Sequence, residues 1–274
     1  MKSLGNFFFL MATLLSSLGH AASIEKDRLI LTGSSTVAPL ALEIAKRFEK
    51  THPGIRVDVQ TGGSSRGVAD ARQGLAHIGM VSRALHTDEG DLSGHTIARD
   101  GVAILVHKSN PIASLSKEQI LSIYTGKVTD WKQLGAKAGR ITVVHKAAGR
   151  STSELFNEYL GIKNTDVKAH IIIGDNEQGI KTIVGNPQAI GYVSIGTAEF
   201  QAGQGVAIKV LPLESVIASV DNVKTGKYPL ARPLNLVTRN QVQGLAKEFI
   251  AFAQSPAVAD LIKEQYFVPV EIER

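Results

Sequence analysis

Leu29–Lys50 reads LILTGSSTVAPLALEIAKRFEK: an apolar β-type run, a loop of Gly, Ser and Thr, then an amphipathic helix. Val37, Leu40, Ile44 and Phe48 recur at spacings of three and four, which places them on one helical face. The same grammar returns at Val57–Gly74 (VDVQTGGSSRGVADARQG) and at Ile141–Leu160 (ITVVHKAAGRSTSELFNEYL). Strand, tight loop and helix in repeated succession predict an α/β protein. In such sheets ligands bind beyond the carboxyl ends of the strands, where all three loops fall. The first turn of a helix carries free N–H groups and roughly +0.5 of a charge, so three such termini meeting at one point would supply about +1.5. That matches a small oxyanion without any catalytic group. Taken singly, each Ser or Thr is accounted for as a helix cap, worth about 1 kcal/mol; the threefold recurrence favours the anion.

Further runs extend the pattern. Ile78–Val81 and Val102–Val106 read as strands, and Lys108-Ser109-Asn110-Pro111 as a turn. A second α/β stretch follows: helix near Lys117–Tyr124, strand at Ile141–Val144, strand Ala169–Ile173, helix Gln178–Val184 and strand Ile190–Val193. Leu234–Thr238 reads as a late strand, and Val242, Leu245, Phe249 and Phe252 mark a C-terminal helix. No fixed-period repeat is present. Whether the last strand and helix return to the first half is open at this level. If they do, two chain crossings make a hinged clamp.

The 274 residues begin with Lys2, an apolar stretch Phe7–Leu15 and small residues at Gly19–Ala22, the pattern of a secretory signal peptide with cleavage expected after Ala21. The apolar stretch is short for a membrane span. There is no Cys, which excludes disulfides, thiolate metal sites and a lipidated cysteine. The formal charge is +5, of which Lys2 contributes one. Lys and Arg are interleaved with Asp and Glu along the chain and aromatic residues make up only 5%, so nucleic-acid binding is not expected. A mild positive balance suits an anionic ligand. The length suits two lobes.

At these loops the chain resembles the phosphate-binding periplasmic proteins of ABC transporters (PstS-like). The resemblance rests on Gly33-Ser34-Ser35-Thr36-Val37-Ala38-Pro39-Leu40, Gly63-Ser64-Ser65-Arg66-Gly67, Ile78-Gly79-Met80-Val81-Ser82-Arg83, Gly149-Arg150-Ser151-Thr152-Ser153 and Ala189-Ile190-Gly191-Tyr192-Val193, with Tyr124–Gly126 and Trp131–Gly135 in support. These follow the family's order along nearly the whole mature chain. The resemblance implies a two-lobe class II periplasmic binding protein fold, each lobe a mostly parallel sheet flanked by helices, joined by a two-strand hinge. Residues 22–105 plus 231–274 would form lobe I and 106–230 lobe II. It also implies inorganic phosphate as ligand and a membrane ABC permease complex with its ATPase as partners; a periplasmic monomer, exported through the signal peptide and without cofactor or metal, is expected.

Carried over residue by residue, Thr36 and the Val37 amide meet the anion at the first helix, Ser64 at the second and Ser151 with Thr152 at the third. Ser34 and Ser35 are capping positions, and Ser35 with Ser82 joins the expected ligand set. The chain departs from better-known members at three places: Arg83 stands where they carry a carboxylate, Lys146 where they carry Arg, and Arg150-Ser151 where they carry a small Ser-Gly pair. Arg83, Lys146 and Arg150 are expected at the anion; for Arg83 and Arg150 the competing assignment is an ion pair at the surface or between lobes. Arg66 is expected outside the site and Trp131 in lobe packing. A buried carboxylate would accept the proton of monohydrogen phosphate and repel sulfate; Asp70, Glu154, Asp175 and Glu177 lie in the neighbourhood.

Three other functions are weighed. A general oxyanion binder for sulfate or molybdate shares the same loops. A secreted phosphoester hydrolase lacks a G-x-S-x-G elbow, an H-E-x-x-H pair and a phosphate-cradling G-x-x-x-x-G-K-[ST] loop, and His77, His86 and His95, nine apart, do not share a helix face. An exported signalling or adhesion protein with a reduced site is the third.

Overall fold

The computed structural model describes residues 27–270. The expected signal peptide lies outside them. In chain order the elements are β1 (Arg28–Gly33), α1 (Ala38–Thr51), β2 (Arg56–Thr61), α2 (Ser64–Gln73), β3 (Ile78–Val81), β4 (Leu92–His107), α3 (Lys117–Tyr124), β5 (Thr142–Lys146), α4 (Ser151–Leu160), β6 (Ile171–Ile173), α5 (Asn176–Gly185), β7 (Ala189–Ser194), α6 (Ile195–Gly203), β8 (Ile208–Leu211), α7 (Val220–Lys224), β9 (Ala231–Arg239), α8 (Gly244–Ala253), α9 (Ala259–Glu264) and β10 (Val268–Pro269). Short 3₁₀ turns punctuate the loops.

The strands follow one path in the order β2-β1-β3-β9-β4-β7-β5-β6, with β8 and β10 also paired to β4. The outer pairs β1–β2, β1–β3, β5–β6 and β5–β7 are parallel. Every described pairing of β4 and β9 is antiparallel, so parallel flanks enclose an antiparallel centre. The physical reason is connectivity: β4 leaves the first lobe, β9 returns, and two crossings made in opposite directions pair antiparallel. β4 is 16 residues long, three times the strand length read from its apolar half. Its N-terminal half, LSGHTIARDG, mixes polar and apolar residues and carries no strand period.

Two large hydrophobic cores divide the described residues, with a small third cluster of Val68, Val81, Leu92 and Val237 beside α2. One gathers Leu29, Leu31, Leu40, Ile44, Phe48, Ile78, Met80, Leu234, Leu236 and Phe249. The other gathers Val102–Val106, Ile123, Tyr124, Trp131, Phe156, Ile190, Tyr192 and Leu230. The late strand β9 and helix α8 thus return to the first lobe, which the chain alone left open. Trp131 is 1% exposed, donates from Nε1 to the Gln188 carbonyl at 3.2 Å, and serves packing as expected.

The first-lobe elements are drawn unusually close. α1 buries the Leu40, Ile44 and Phe48 stripe, with Pro39 in its first turn where no N–H is needed. α2 packs through Gly67: a Cβ there would lie 2.8 Å from the Thr32 carbonyl oxygen and 2.9 Å from that of Met80. Gly33, at φ +134°, closes β1 at the same contact. These two glycines let the ends of β1 and β3 and the start of α2 converge, which sets the loop residues beside one another.

Candidate functional site

Three loops of the first lobe meet through their hydroxyls. Ser34 Oγ donates to Ser82 Oγ at 2.9 Å and accepts the Thr36 and Val37 amides at 3.2 and 3.4 Å. Ser64 Oγ, at the start of α2, accepts the Ser82 amide at 3.2 Å. Ser34, Thr36, Ser64 and Ser82 are all buried. Ser35 is half-buried at the rim. The Val37 amide is directed to Ser34 Oγ and forms the helix entry there.

The second lobe contributes the start of α4 and α5. Ser151 and Thr152 are 2% and 4% exposed. Asn176 Nδ2 donates across to Thr36 Oγ1 at 3.2 Å, while its Oδ1 accepts Lys146 Nζ at 2.8 Å. Lys146 is enclosed; burial, reinforced by the Arg232 charge, pulls its pKa from 10.5 down to about 7, with Asp175 opposing and Arg150 adding.

Arg232 stands at the centre, and sequence reasoning missed it. Its Nη1 donates to Thr152 Oγ1 at 2.9 Å and to Ser82 Oγ at 3.4 Å, and its Nη2 to Thr36 Oγ1 at 3.2 Å. Asp100 backs it: Oδ2 accepts Nε at 3.1 Å and Nη2 at 2.8 Å, and the side chains are 1% and 0% exposed. The β4–β9 register places the two opposite one another, Asp100 against Arg232. The available signal was charge at the edge of each apolar run, Arg99-Asp100 in RDGVAILV and Arg232 in ARPLNLV, which reads as a strand end when the run is scored by hydropathy. Asn176 gave less signal still, since an Asn in the first turn of a helix is ordinary.

Three buried hydroxyls, Thr32 Oγ1, Ser151 Oγ and Ser194 Oγ, have no hydrogen-bond partner among the described residues. Each such group costs about 1–3 kcal/mol. Buried donors gather around Arg232 and Lys146, with the Asp100 carboxylate committed to Arg232, an arrangement suited to a compact anion.

Among the described residues, neither Arg83 nor Arg150 hydrogen-bonds to this cluster, although the Arg150 charge reaches Lys146. Arg83 is turned to Glu89 and Glu154. Arg150, the N-cap of α4, lies along the lobe boundary: a Cβ on Gly63 would stand 2.9 Å from its Cδ. Arg66 pairs with Asp70 at 3.1 Å on the outside, as expected. Asp175 caps α5 through the Gln178 amide, and Glu177 accepts Gln201 Nε2 at 3.2 Å. So of the carboxylates weighed from sequence, each is engaged elsewhere. His77 Nδ1 accepts the Ile30 amide and His95 Nε2 meets Thr238 Oγ1, both within the sheet framework.

A two-lobe α/β molecule with helix N-termini and a buried arginine between its lobes is a solute-binding protein, and the PBP superfamily domain matches residues 20–257. The phosphate-binding protein PstS of Bacillus subtilis is 30% identical over 248 residues, covering 88% of this chain and 80% of the relative. A Clostridium perfringens structure, described as a phosphate ABC transporter substrate-binding protein with bound phosphate, superposes with TM-score 0.82 at 30% identity, covering 89% of this chain and all of that one. An ABC-type phosphate transport receptor from Vibrio cholerae gives TM-score 0.74 at 31% identity, covering 88% of this chain and all of that one. The chain belongs to the PstS-like phosphate-binding proteins.

Proposed function

We propose that this chain is an exported, periplasmic protein that captures inorganic phosphate between its lobes and delivers it to a membrane ABC permease complex, acting as a binding protein and not as an enzyme. One observation carries the reading: the Arg232 guanidinium, held by Asp100, forks to Thr36 and Ser82 of the first lobe and Thr152 of the second. An anion seated there touches both lobes at once. The hydroxyls of Ser151 and Ser194, buried without a partner among the described residues, supply further donors, and the family relationship supports phosphate as the anion.

Capture proceeds by closure. Phosphate first meets the Thr36 and Ser64 loops; α4 and α5 then swing in with Thr152, Ser151 and Asn176. Excluding water lowers the local dielectric and strengthens every charged contact. The closed form is the one a permease would read. The lobes are proposed to part where the two cores divide, between Ala98 and Val102 on β4 and between Leu230 and Leu234 on β9. The protein is proposed to act as a monomer.

Calorimetric titration of phosphate-stripped protein with phosphate, then sulfate and molybdate, at pH 6 and 8, tests this. One phosphate per chain, bound more tightly than sulfate, is expected. Equal binding of sulfate would move the function to a general oxyanion trap, and silence for all three anions would move it to signalling or adhesion. The double variant Thr152→Ala with Arg150→Ala is expected to weaken binding by at least about tenfold, since it removes a buried charge-assisted donor and a cation at the α4 terminus; unchanged affinity would overturn the site assignment.

A further inference from the structure

Arg83 is 7% exposed, yet its guanidinium is turned from the polar centre. Nη1 and Nη2 donate to the two carboxylate oxygens of Glu89 at 2.7 and 2.8 Å, a bidentate pair within the first lobe. Nη1 also donates to the Ala84 carbonyl at 2.9 Å, and the Arg83 carbonyl accepts Asn235 Nδ2 at 2.7 Å. Glu89 is anchored in turn by the His86 amide at 2.8 Å. That leaves Nε, which donates at 3.0 Å to Glu154 Oε2 on α4 of the second lobe. The other Glu154 oxygen accepts Ser65 Oγ at 3.1 Å, and the Ser65 amide donates to the Gly149 carbonyl at 3.2 Å. His86 Nε2 stands 3.9 Å from Glu154 Oε2. One carboxylate of α4 is therefore read by an arginine and a serine from across the cleft.

The two ends of this contact differ. The Arg83–Glu89 pair lies wholly within the first lobe and is buried, so it does not need the second lobe to form. Glu154 is 32% exposed by its side chain and returns to water and to its own helix N-terminus when the lobes part. Glu154 also lies in the same first turn as Ser151 and Thr152. Seating α4 on an anion seats Glu154 on Arg83 as one rigid movement.

We propose that Arg83 and Glu154, with Ser65, form a latch across the cleft that sets how long a captured anion is held. The proposal rests on the binding reading above, with phosphate as the ligand. The latch acts after capture: its groups touch the opposite lobe and not the ligand, so they slow opening and leave the encounter of phosphate with the open cleft unchanged. Arg83 is thus a positioning residue outside the anion's own contacts.

The test is stopped-flow measurement of phosphate association and release for the wild type, Glu154→Gln, Glu154→Ala and Ser65→Ala. Arg83 itself is left in place, because removing it strands Glu89. Release is expected to quicken about tenfold in Glu154→Ala, less in Glu154→Gln and Ser65→Ala, with association rates within about twofold of wild type. Added salt is expected to quicken release from wild type and to have little effect on Glu154→Ala. An unchanged release rate in Glu154→Ala, or an association rate that falls in parallel, overturns the latch. Small-angle scattering of the same variants without ligand gives a second readout, with a larger radius of gyration expected for Glu154→Ala. If the wild type binds no phosphate, the functional reading fails by itself, and unchanged scattering would then overturn the latch separately.

Discussion

Replacing Lys146 by Met removes a buried amine whose charge is set by its surroundings. Its Nζ meets Asn176 Oδ1 at 2.8 Å and the side chain is 1% exposed. Burial first, then Arg232, lower its pKa from 10.5 to about 7. At pH 8.5, about one and a half units higher, only about 3% of ligand-free molecules carry the charge. A phosphate dianion within the same enclosure favours the protonated amine. Above pH 7, binding is therefore expected to take up about one proton at Lys146, and affinity to fall by up to about tenfold per pH unit. Phosphate in solution is already a dianion across roughly pH 7.5 to 9.5, so its own titration adds little slope there. Over that range the wild type is expected to lose up to about 100-fold in affinity and Lys146→Met less than about threefold. Calorimetry in two buffers of different ionisation enthalpy counts the proton directly. The ligand-free protein behaves oppositely. Between about pH 7 and 10.5 the unfolded chain holds the proton that the folded one has lost, so stability rises with pH through this window. The rise amounts to at most about 5 kcal/mol, from about 3.5 units at about 1.4 kcal/mol each, and disappears in the variant. A flat wild-type affinity from pH 7.5 to 9.5, or the same slope in Lys146→Met, refutes the reasoning.

Asp100→Asn leaves Arg232 as a buried charge without its carboxylate, which costs about 3–5 kcal/mol and lowers Tm by about 6–20 °C at this chain length. Saturating phosphate is expected to narrow that gap, because the anion partners Arg232; scanning calorimetry with and without phosphate checks both, and an unchanged Tm contradicts the pair's role. Gly67→Ala improves intrinsic helix propensity by about 1 kcal/mol yet is expected to lower stability, since its Cβ would meet the Thr32 and Met80 carbonyls at 2.8 and 2.9 Å. A thermal midpoint at or above wild type would show that α2 can shift without loss.

The three strand–loop–helix junctions are local patterns. Each is written in about twenty consecutive residues, as a hydrophobic period plus a polar loop, and so the α/β class and the three strand–loop–helix junctions were readable from the chain, while the burial of Thr36, Ser64 and Thr152 came from packing. The hydroxyls and amides of those loops could likewise be named from the chain as candidate anion donors, because that chemistry depends on a helix terminus and not on distant partners. What the chain does not carry locally is pairing. Asp100 and Arg232 lie 132 residues apart and become neighbours only through the β4–β9 register. Arg83 has the chemistry of an anion ligand, but which of three acceptors it serves depends on where Glu89 and Glu154 come to rest, and only the packing of α4 against the first lobe brings Glu154 within 3.0 Å. Lys146 shows the same division: its identity as a cation is written in the sequence, while its protonation follows from an enclosure assembled by β5, α5 and β9. Periodicity fixes the faces that elements bury; electrostatic partnership is a property of the folded neighbourhood, because Coulomb and hydrogen-bond energies depend on distances that no single segment determines.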